Sequence, residues 1–367
     1  MKKETRIGVI GCGKISSAYF STFARLPGVV AHACADLNNA AAEAAAEEWG
    51  MKAMTVDELL ASDEIEVVLN LTIPAAHAEV NTRILEAGKH AYCEKPFSLE
   101  REEGQKVLAL AKSKGLLVGC APDTFLSAGQ QTARKLIDDG AIGKPLSGTA
   151  FMMGHGPESW HPNPGFYYTK GGGPMFDMGP YYLTTLVNLL GPVKSVSGST
   201  NRGFNERVAG HESRAGEILP VEIETHVAGI LEFHSGAIVT IVTSFDVWQA
   251  DHYPIEIHGT AGSLKVPDPN CFDGRNAIYR DGFSDWKDVP LLHPHSENSR
   301  GIGVADLADA AANGRPARCG GEIAYHVLDI MHAIHDSSNE RKHIDIASTC
   351  ERPAAMPMTP ELDKLFV

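Results

Sequence analysis

The sequence predicts an α/β chain in two parts: a doubly wound parallel sheet, then an α+β domain whose sheet is predominantly antiparallel. Three observations predict it. Short apolar runs alternate with helix-period segments as far as Cys120, and a repeated β-α-β order builds a parallel sheet with helices on both faces. A glycine-rich turn separates the first strand from the first helix. Beyond Pro122 the alternation gives way to paired strands joined by short turns. The expected domains are residues 1–122 and 123–367.

In order, residues 6–10 form a first strand, and 15–26 place Ile15, Ala18, Tyr19, Thr22, Phe23 and Leu26 at helical spacing. Residues 29–35 read as a second strand and 39–49 as an alanine-rich helix, and Thr55 with Glu58 forms a capping box. Residues 66–71 carry the apolar run Val67-Val68-Leu69, as in a strand covered on both faces. A helix over 76–87 stops at Gly88, 91–93 is a strand, a helix over 99–114 stops at Gly115, and 116–120 closes the series. The second part opens with a helix over 130–139, a strand over 146–153 and a helix over 181–190. Hairpins pair 227–233 with 237–245 and 255–258 with 263–266, the latter through Thr260-Ala261-Gly262, and helices over 304–313 and 322–337 end the chain.

Composition narrows the function. A net charge of −14, from 32 basic and 46 acidic residues, argues against nucleic acid or anionic membrane as partner, since both need clustered cations. The seven cysteines are scattered and never spaced Cys-x-x-Cys, which suits reduced thiols and a cytoplasmic protein. The apolar run near the start is broken by glycine, and no stretch is long enough to span a bilayer. His293 with His295 and His332 with His335 lack a third ligand at recognisable spacing, so no metal is expected.

Gly11-x-Gly13-x-x-Ser16 follows a strand and opens a helix. Gly11 permits the tight turn, and Gly13 lets the backbone of Gly13, Lys14 and Ile15 approach a pyrophosphate at the helix N-terminus. Asp36 ends the second strand, where a carboxylate accepts both hydroxyls of an adenosine ribose and repels a 2′-phosphate; no arginine follows it. Capping the next helix is its competing role. The pattern predicts a Rossmann-type site for NAD.

Lys95, in Cys93-Glu94-Lys95-Pro96, lies at the carboxyl end of a strand, where open α/β sheets bind ligands. There it can polarise a substrate oxygen, although a solvated charge is the ordinary role of a strand-end lysine. In Gly171-Gly172-Gly173-Pro174-Met175-Phe176-Asp177-Met178-Gly179-Pro180-Tyr181, Asp177 and Tyr181 share a face if helical, while Pro180 must sit in or near a first turn. The aromatic loop with His155, Trp160 and His161 suits the C–H face and hydroxyl edge of a pyranose, and equally a surface anchor.

The runs GCGKIS, LTIPAAHAEV, AGKHAYCEKP and GGGPMFDMGPYYLTTLVNLLG together resemble the glucose–fructose oxidoreductase/inositol dehydrogenase/MocA family over nearly the whole chain. The resemblance implies a second-domain sheet with one helix-covered and one open face, and a sugar, cyclitol or related polyol as substrate. It implies that Lys95, Asp177 and Tyr181 form the catalytic group, with Asp177 also holding substrate. Glu94 would lie near the nicotinamide ribose, and Thr72, Pro74 and His77 would edge the nicotinamide. Asp123, His155, Trp160 and His161 would contact substrate. Many members carry histidine where this chain has Tyr181, and Asp123-Thr124 replaces an Asn-Arg type of pair, so substrate contacts do not transfer directly.

The expected activity is hydride transfer between NAD and a secondary alcohol of a sugar, glycoside, anhydrosugar or cyclitol, with oxidation of a glucoside to a 3-keto sugar as the single best guess. Its rivals are glycoside cleavage through transient oxidation by tightly held NAD, and a non-catalytic NAD(H) sensor. Alternation of Val239, Ile241 and Thr243 along one strand suggests a sheet face covered by a second copy, hence a homodimer or homotetramer. Asp36 generates a prediction: in calorimetry the protein binds NAD more tightly than NADP, and Asp36→Ser with Leu37→Arg moves the preference toward NADP. Tighter NADP binding by the unaltered protein refutes this role.

Overall fold

A computed structural model describes residues 4–358, so the outermost ends of both expected domains fall outside the described residues. Six parallel strands form the first sheet in the order β3-β2-β1-β4-β5-β6. They are β1 Thr5–Ile10, β2 Val29–Ala35, β3 Lys52–Ala53, β4 Val67–Asn70, β5 His90–Cys93 and β6 Val118–Cys120. Helices α1 Ser16–Phe23, α2 Asn39–Trp49, α3 Val56–Ala61, α4 His77–Glu86 and α5 Arg101–Lys114 connect them. The order reverses at β1, so the carboxyl ends of β1 and β4 flank the crevice where such sheets bind dinucleotides. The capping box of Thr55 and Glu58 forms at α3, and α5 ends on left-handed Gly115.

After α6 Ala128–Asp138 the chain builds a nine-stranded, mainly antiparallel sheet from β7 Pro145–Met153 and β8 Val193–Asn201. Helices α7 Gly173–Asp177 and α8 Gly179–Leu190 lie between these two strands. A separate ribbon, β9 Glu206–Val208 with β10 Ile218–Pro220, precedes β11 His226–Phe233 and β12 Ile238–Ser244. Then follow β13 Ile255–Gly259, β14 Gly262–Val266, β15 Asn276–Arg280, β16 Lys287–Val289 and, near the end, β17 Ile344–Asp345. The β7–β12 pair is parallel and every other pair in this sheet antiparallel. The second hairpin turns on Thr260 and Ala261 alone, with Gly262 already in β14.

Of the last helices, α9 Ile302–Asn313 and α10 Gly321–Glu340, the second ties the two sheets together. α9 packs on β5 and β6, while α10 touches α5 and β6 of the first sheet and α8 and β8 of the second. One apolar cluster therefore runs from Ile10 and Val68 through Leu186 and Leu328 to Val239 and Ile257. Among the described residues no helix is long and apolar enough to cross a membrane.

One expectation is corrected. Val239, Ile241 and Thr243 are fully buried on the covered face of the sheet. The open face carries the other parity of β12 and its neighbours, including Ile238 and Ile230, 49% and 45% exposed. Side chains alternate sides along a strand, and Ile238-Val239-Thr240-Ile241-Val242 offers apolar residues to both.

The return of the chain to the first sheet depends on a buried carboxylate. Asp306 has no exposed surface; it accepts from the Arg318 amide and pairs with the guanidiniums of Arg318 and Arg315 at 2.6 and 2.7 Å. Removing Asp306 leaves the buried Arg318 guanidinium with only the carbonyls of Ala354 and Ala355, while Arg315 keeps Asp309. Asp306→Ala should lower unfolding free energy by about 3–5 kcal/mol in urea titration at unchanged slope. A loss below about 1 kcal/mol would show these arginines are satisfied elsewhere.

Candidate active site

The dinucleotide end is built from the first turn. Gly11 adopts φ +105°, and a Cβ there would lie 2.7 Å from the Leu71 carbonyl, so only glycine lets β1 and β4 end this close together. Gly13 is exposed with open space above it. Ser16 fills the third position, its Oγ donating to the Gly13 carbonyl at 2.7 Å. Helix α1 has neither a side-chain cap nor an acid in its first turn, which leaves its N-terminal amides suited to an anion. Asp36 accepts from the Cys12 amide at 2.8 Å and from the Asn38 amide at 2.8 Å. It thus ties the glycine turn to the end of β2 while its remaining lone pairs suit ribose hydroxyls. Gly11, Gly13, Lys14, Ile15 and Asp36 therefore fit NAD; Lys14 and Ile15 are exposed beside the turn.

At the end of β4, Asn70 is buried and its Oδ1 accepts from the Thr72 amide and hydroxyl, shaping the turn into Pro74. His77 departs from its expected place against the cofactor. It is fully buried, its ring nitrogens lying 2.7 and 2.9 Å from the carbonyls of Pro96 and Thr72; burial holds its pKa below the usual histidine range, and the neutral ring donates to one of the two. His77 thus pins the Thr72 turn to the segment that carries Lys95.

Lys95 meets Asp177 across the seam between the sheets. Its Nζ donates to the Asp177 carbonyl and to Oδ1, each at 2.7 Å, with both side chains about four-fifths buried. Glu94 accepts from the Lys95 amide and from the Tyr19 hydroxyl, so its carboxylate is fixed beside the pair. Helix geometry alone does not bring Asp177 and Tyr181 together. α7 ends at Asp177, Met178 breaks the helix, and Pro180 occupies the first turn of α8, where its missing N–H costs nothing. Tyr181 lies under Lys95, whose Nζ is 5.3 Å from the ring centroid.

The electrostatics follow from this packing. Burial alone would lower the Lys95 pKa, but Asp177, Tyr181 and Glu94 outweigh it, so the ammonium is held well above its usual range. Burial pushes the Tyr181 phenol up, against the downward pull of Lys95 and Arg300, and it stays neutral. Both groups are therefore protonated at neutral pH, one an ammonium and one a neutral donor.

Other expected substrate contacts divide. His161 lies within the electrostatic reach of Asp177 and Lys14, packed edge-on against Trp160, Phe166 and Tyr167, with burial lowering its pKa. Trp160 is 59% exposed on the same loop. His155 instead stacks on Trp248 at 3.4 Å and contacts Arg207, and none of its contacts reaches Lys95 or Asp177. Asp123 is buried, and its Oδ2 accepts from the amides of Gly301 and Gly303 at 2.7 and 3.0 Å, so it caps α9 where substrate contact was expected. Its pKa is pushed up to about 6, chiefly by burial.

Two further residues belong to the site's surroundings. Tyr167 couples to Asp177, Lys95 and Tyr181, with its phenol raised to about 12, chiefly by burial. Arg300 lies within electrostatic reach of Tyr181 and pulls its phenol down, against burial. Tyr167 is one of several aromatics in its loop and Arg300 belongs to no motif; only the fold selects them.

A parallel sheet with a glycine turn, an acid ending its second strand and a lysine at a later strand end defines an NAD-binding oxidoreductase of the Rossmann class. Residues 5–121 match the oxidoreductase family with NAD-binding Rossmann fold, and residues 130–265 the GFO/IDH/MocA C-terminal domain. The chain belongs to the Gfo/Idh/MocA family. Levoglucosan dehydrogenase of Pseudarthrobacter phenanthrenivorans is 26% identical over 94% of this chain and 98% of its own. D-glucoside 3-dehydrogenase of Escherichia coli is 27% identical over 65% and 70%. 1,5-anhydro-D-fructose reductase of Ensifer adhaerens is 27% identical over 71% and 74%. In fold, a levoglucosan dehydrogenase complex with NADH and L-sorbose superposes with TM-score 0.80 at 24% identity, covering 94% of this chain and all of that one.

Proposed function

We propose that this protein is an NAD-dependent dehydrogenase acting on a secondary alcohol of a sugar, glycoside, anhydrosugar or cyclitol, with oxidation of a glucoside to its 3-keto form as the specific reaction. The observation that carries it is the Lys95 ammonium, pinned to Asp177 beside the Tyr181 phenol at the end of β5. Curated relatives named for levoglucosan, glucoside and anhydrofructose chemistry support the substrate class. NAD, when bound, supplies the hydride acceptor. Lys95 then stabilises negative charge on the substrate oxygen, because the ammonium is already protonated and already oriented. Tyr181 relays the hydroxyl proton: the phenol oxygen accepts it while the phenol's own proton passes to water, so neither Tyr181 nor Lys95 changes its charge over the step. Asp177 holds Lys95 in place and orients substrate hydroxyls, and His161 and Trp160 border the sugar.

The open face of the second sheet supports a quaternary assignment as well. Ile230, Ile238 and Tyr279 are exposed there, and we assign that face to a second copy in a homodimer or homotetramer. Light scattering at micromolar concentration should give a dimer or tetramer, and Ile230→Lys with Ile238→Lys should dissociate it. A monomeric unaltered protein defeats this assignment.

The activity is tested by NAD reduction over cyclitols, monosaccharides, glycosides and anhydrosugars, with Lys95→Met as control. The variant keeps most of the stem volume and lies apart from the glycine turn. It should bind NADH nearly normally while kcat falls by roughly 10²–10⁴, unrecovered at higher substrate concentration. Turnover within a few-fold of the unaltered enzyme sinks the catalytic role of Lys95. Cleavage of glycosides without NADH accumulation points instead to transient oxidation.

A further inference from the structure

Between β8 and β11 the chain makes a two-stranded ribbon, β9 with β10, that belongs to neither large sheet. Its strands alternate as a half-buried pair does. Val208 and Ile218 face outward, 61% and 60% exposed, while Arg207 and Leu219, opposite each other, face inward and are buried. An arginine therefore fills a position where an apolar side chain would pack, which requires that it be paired. Arg207 Nη1 donates to Glu158 Oε1 at 3.1 Å; Nη2 donates to Asp246 and, at 2.8 Å, to the Phe245 carbonyl, both just past β12. The second oxygen of Glu158 accepts from the buried Tyr168 hydroxyl, so one carboxylate clasps the two ends of the aromatic loop together.

The ribbon follows that loop along its length. The Gly210 amide donates to the Glu158 carbonyl and the Glu222 amide to the Tyr168 carbonyl, each at 2.8 Å. At the tip, the Arg214 guanidinium donates to Asn163 Oδ1 at 2.9 Å and the Ser213 hydroxyl to the Pro162 carbonyl at 3.4 Å. Tyr168, Ala209, Leu219, Val221 and Phe245 form a small apolar cluster of their own beneath it. The last turn of the loop, Gly165–Tyr168, packs on α7, the helix that ends at Asp177. A Cβ on Gly172 would lie 2.5 Å from the Phe166 carbonyl oxygen, so a residue without one lets the loop settle on the segment leading to Asp177.

We propose, on the sugar-dehydrogenase reading of the active site, that Arg207 is a positioning residue for the substrate: through Glu158 it holds the aromatic loop, and with it Trp160 and His161, at the sugar end of the site. Its hydrogen bonds go to the loop and to the end of β12, and among the described residues none reaches Lys95 or Asp177. It therefore acts on sugar binding through the loop, while the Lys95–Asp177 contact holds the chemistry independently. Contacts made equally in the ground state and the transition state set KM and leave kcat unchanged.

The test is steady-state kinetics with one probe of each proposed class, myo-inositol, D-glucose, methyl β-D-glucopyranoside and levoglucosan, beside a titration with NADH. For a probe that reduces NAD, Arg207→Met should raise KM by about tenfold or more, with kcat held within about threefold and NADH affinity within about twofold. Tyr168→Phe opens the clasp but keeps the ring and the Arg207 ion pairs, and should raise KM by about threefold, the scale of one lost hydrogen bond. It gives the same reading if Arg207→Met does not fold. An arginine needed only for folding would leave fewer active molecules, which lowers kcat and leaves KM in place. An unmoved KM in Tyr168→Phe, or a fall in kcat at constant KM in either variant, overturns the proposal. If none of the four probes reduces NAD with the unaltered protein, the sugar-dehydrogenase reading itself fails, and the role of Arg207 with it.

Discussion

The contact between Lys95 and Asp177 joins the end of β5 in the first sheet to the end of α7 in the second, and the site is organised around it. Two charges largely withdrawn from water lose hydration that their attraction repays only in good geometry. The surrounding structure supplies that geometry: Asp177 offers a side-chain oxygen and a carbonyl, Glu94 accepts the Lys95 amide, and Tyr19 steadies Glu94. His77 pins the following proline to the Thr72 turn. A shift of either sheet relative to the other would separate the pair, so the packing of α10 across both sheets bears directly on the chemistry.

Buried polar groups elsewhere serve the same end. Asn70 shapes the turn at the end of β4, Asp123 the turn before α9, and Asp306 the segment leading into α10. Arg207, buried with Glu158 and Asp246, fastens the start of the aromatic loop to the second sheet. Such networks are expensive to desolvate and contribute little net stability. Each one here fixes a loop that an apolar contact would leave free to slide.

The misreadings have identifiable causes. Strand β8, with the sequence VKSVSGSTN, is too rich in serine to show a strand pattern, yet it is held between β11 and β17 and covered by α10. Val239 and Ile238 are both apolar, so alternation does not tell which parity faces the helices. Asp123 and His77 are polar residues at strand ends, where a ligand contact and a structural hydrogen bond look alike in sequence. Burial separates them: both are almost wholly enclosed and spend their polar atoms on backbone groups.

What the sequence determined by itself were features carried by local geometry. The glycine turn, the helix stops, the lysine at a strand end and the acid ending β2 are each specified within a few consecutive residues, because backbone conformation and strand-end placement are local properties. Tertiary structure decided which distant groups meet. Asp177 reaches Lys95 because a helix broken at Met178 brings its end to the first sheet, and Arg300 comes within electrostatic reach of Tyr181 because the chain returns there after the second sheet is complete. These groups belong to segments far apart in the chain, and only the packing of the two sheets against shared helices brings them together.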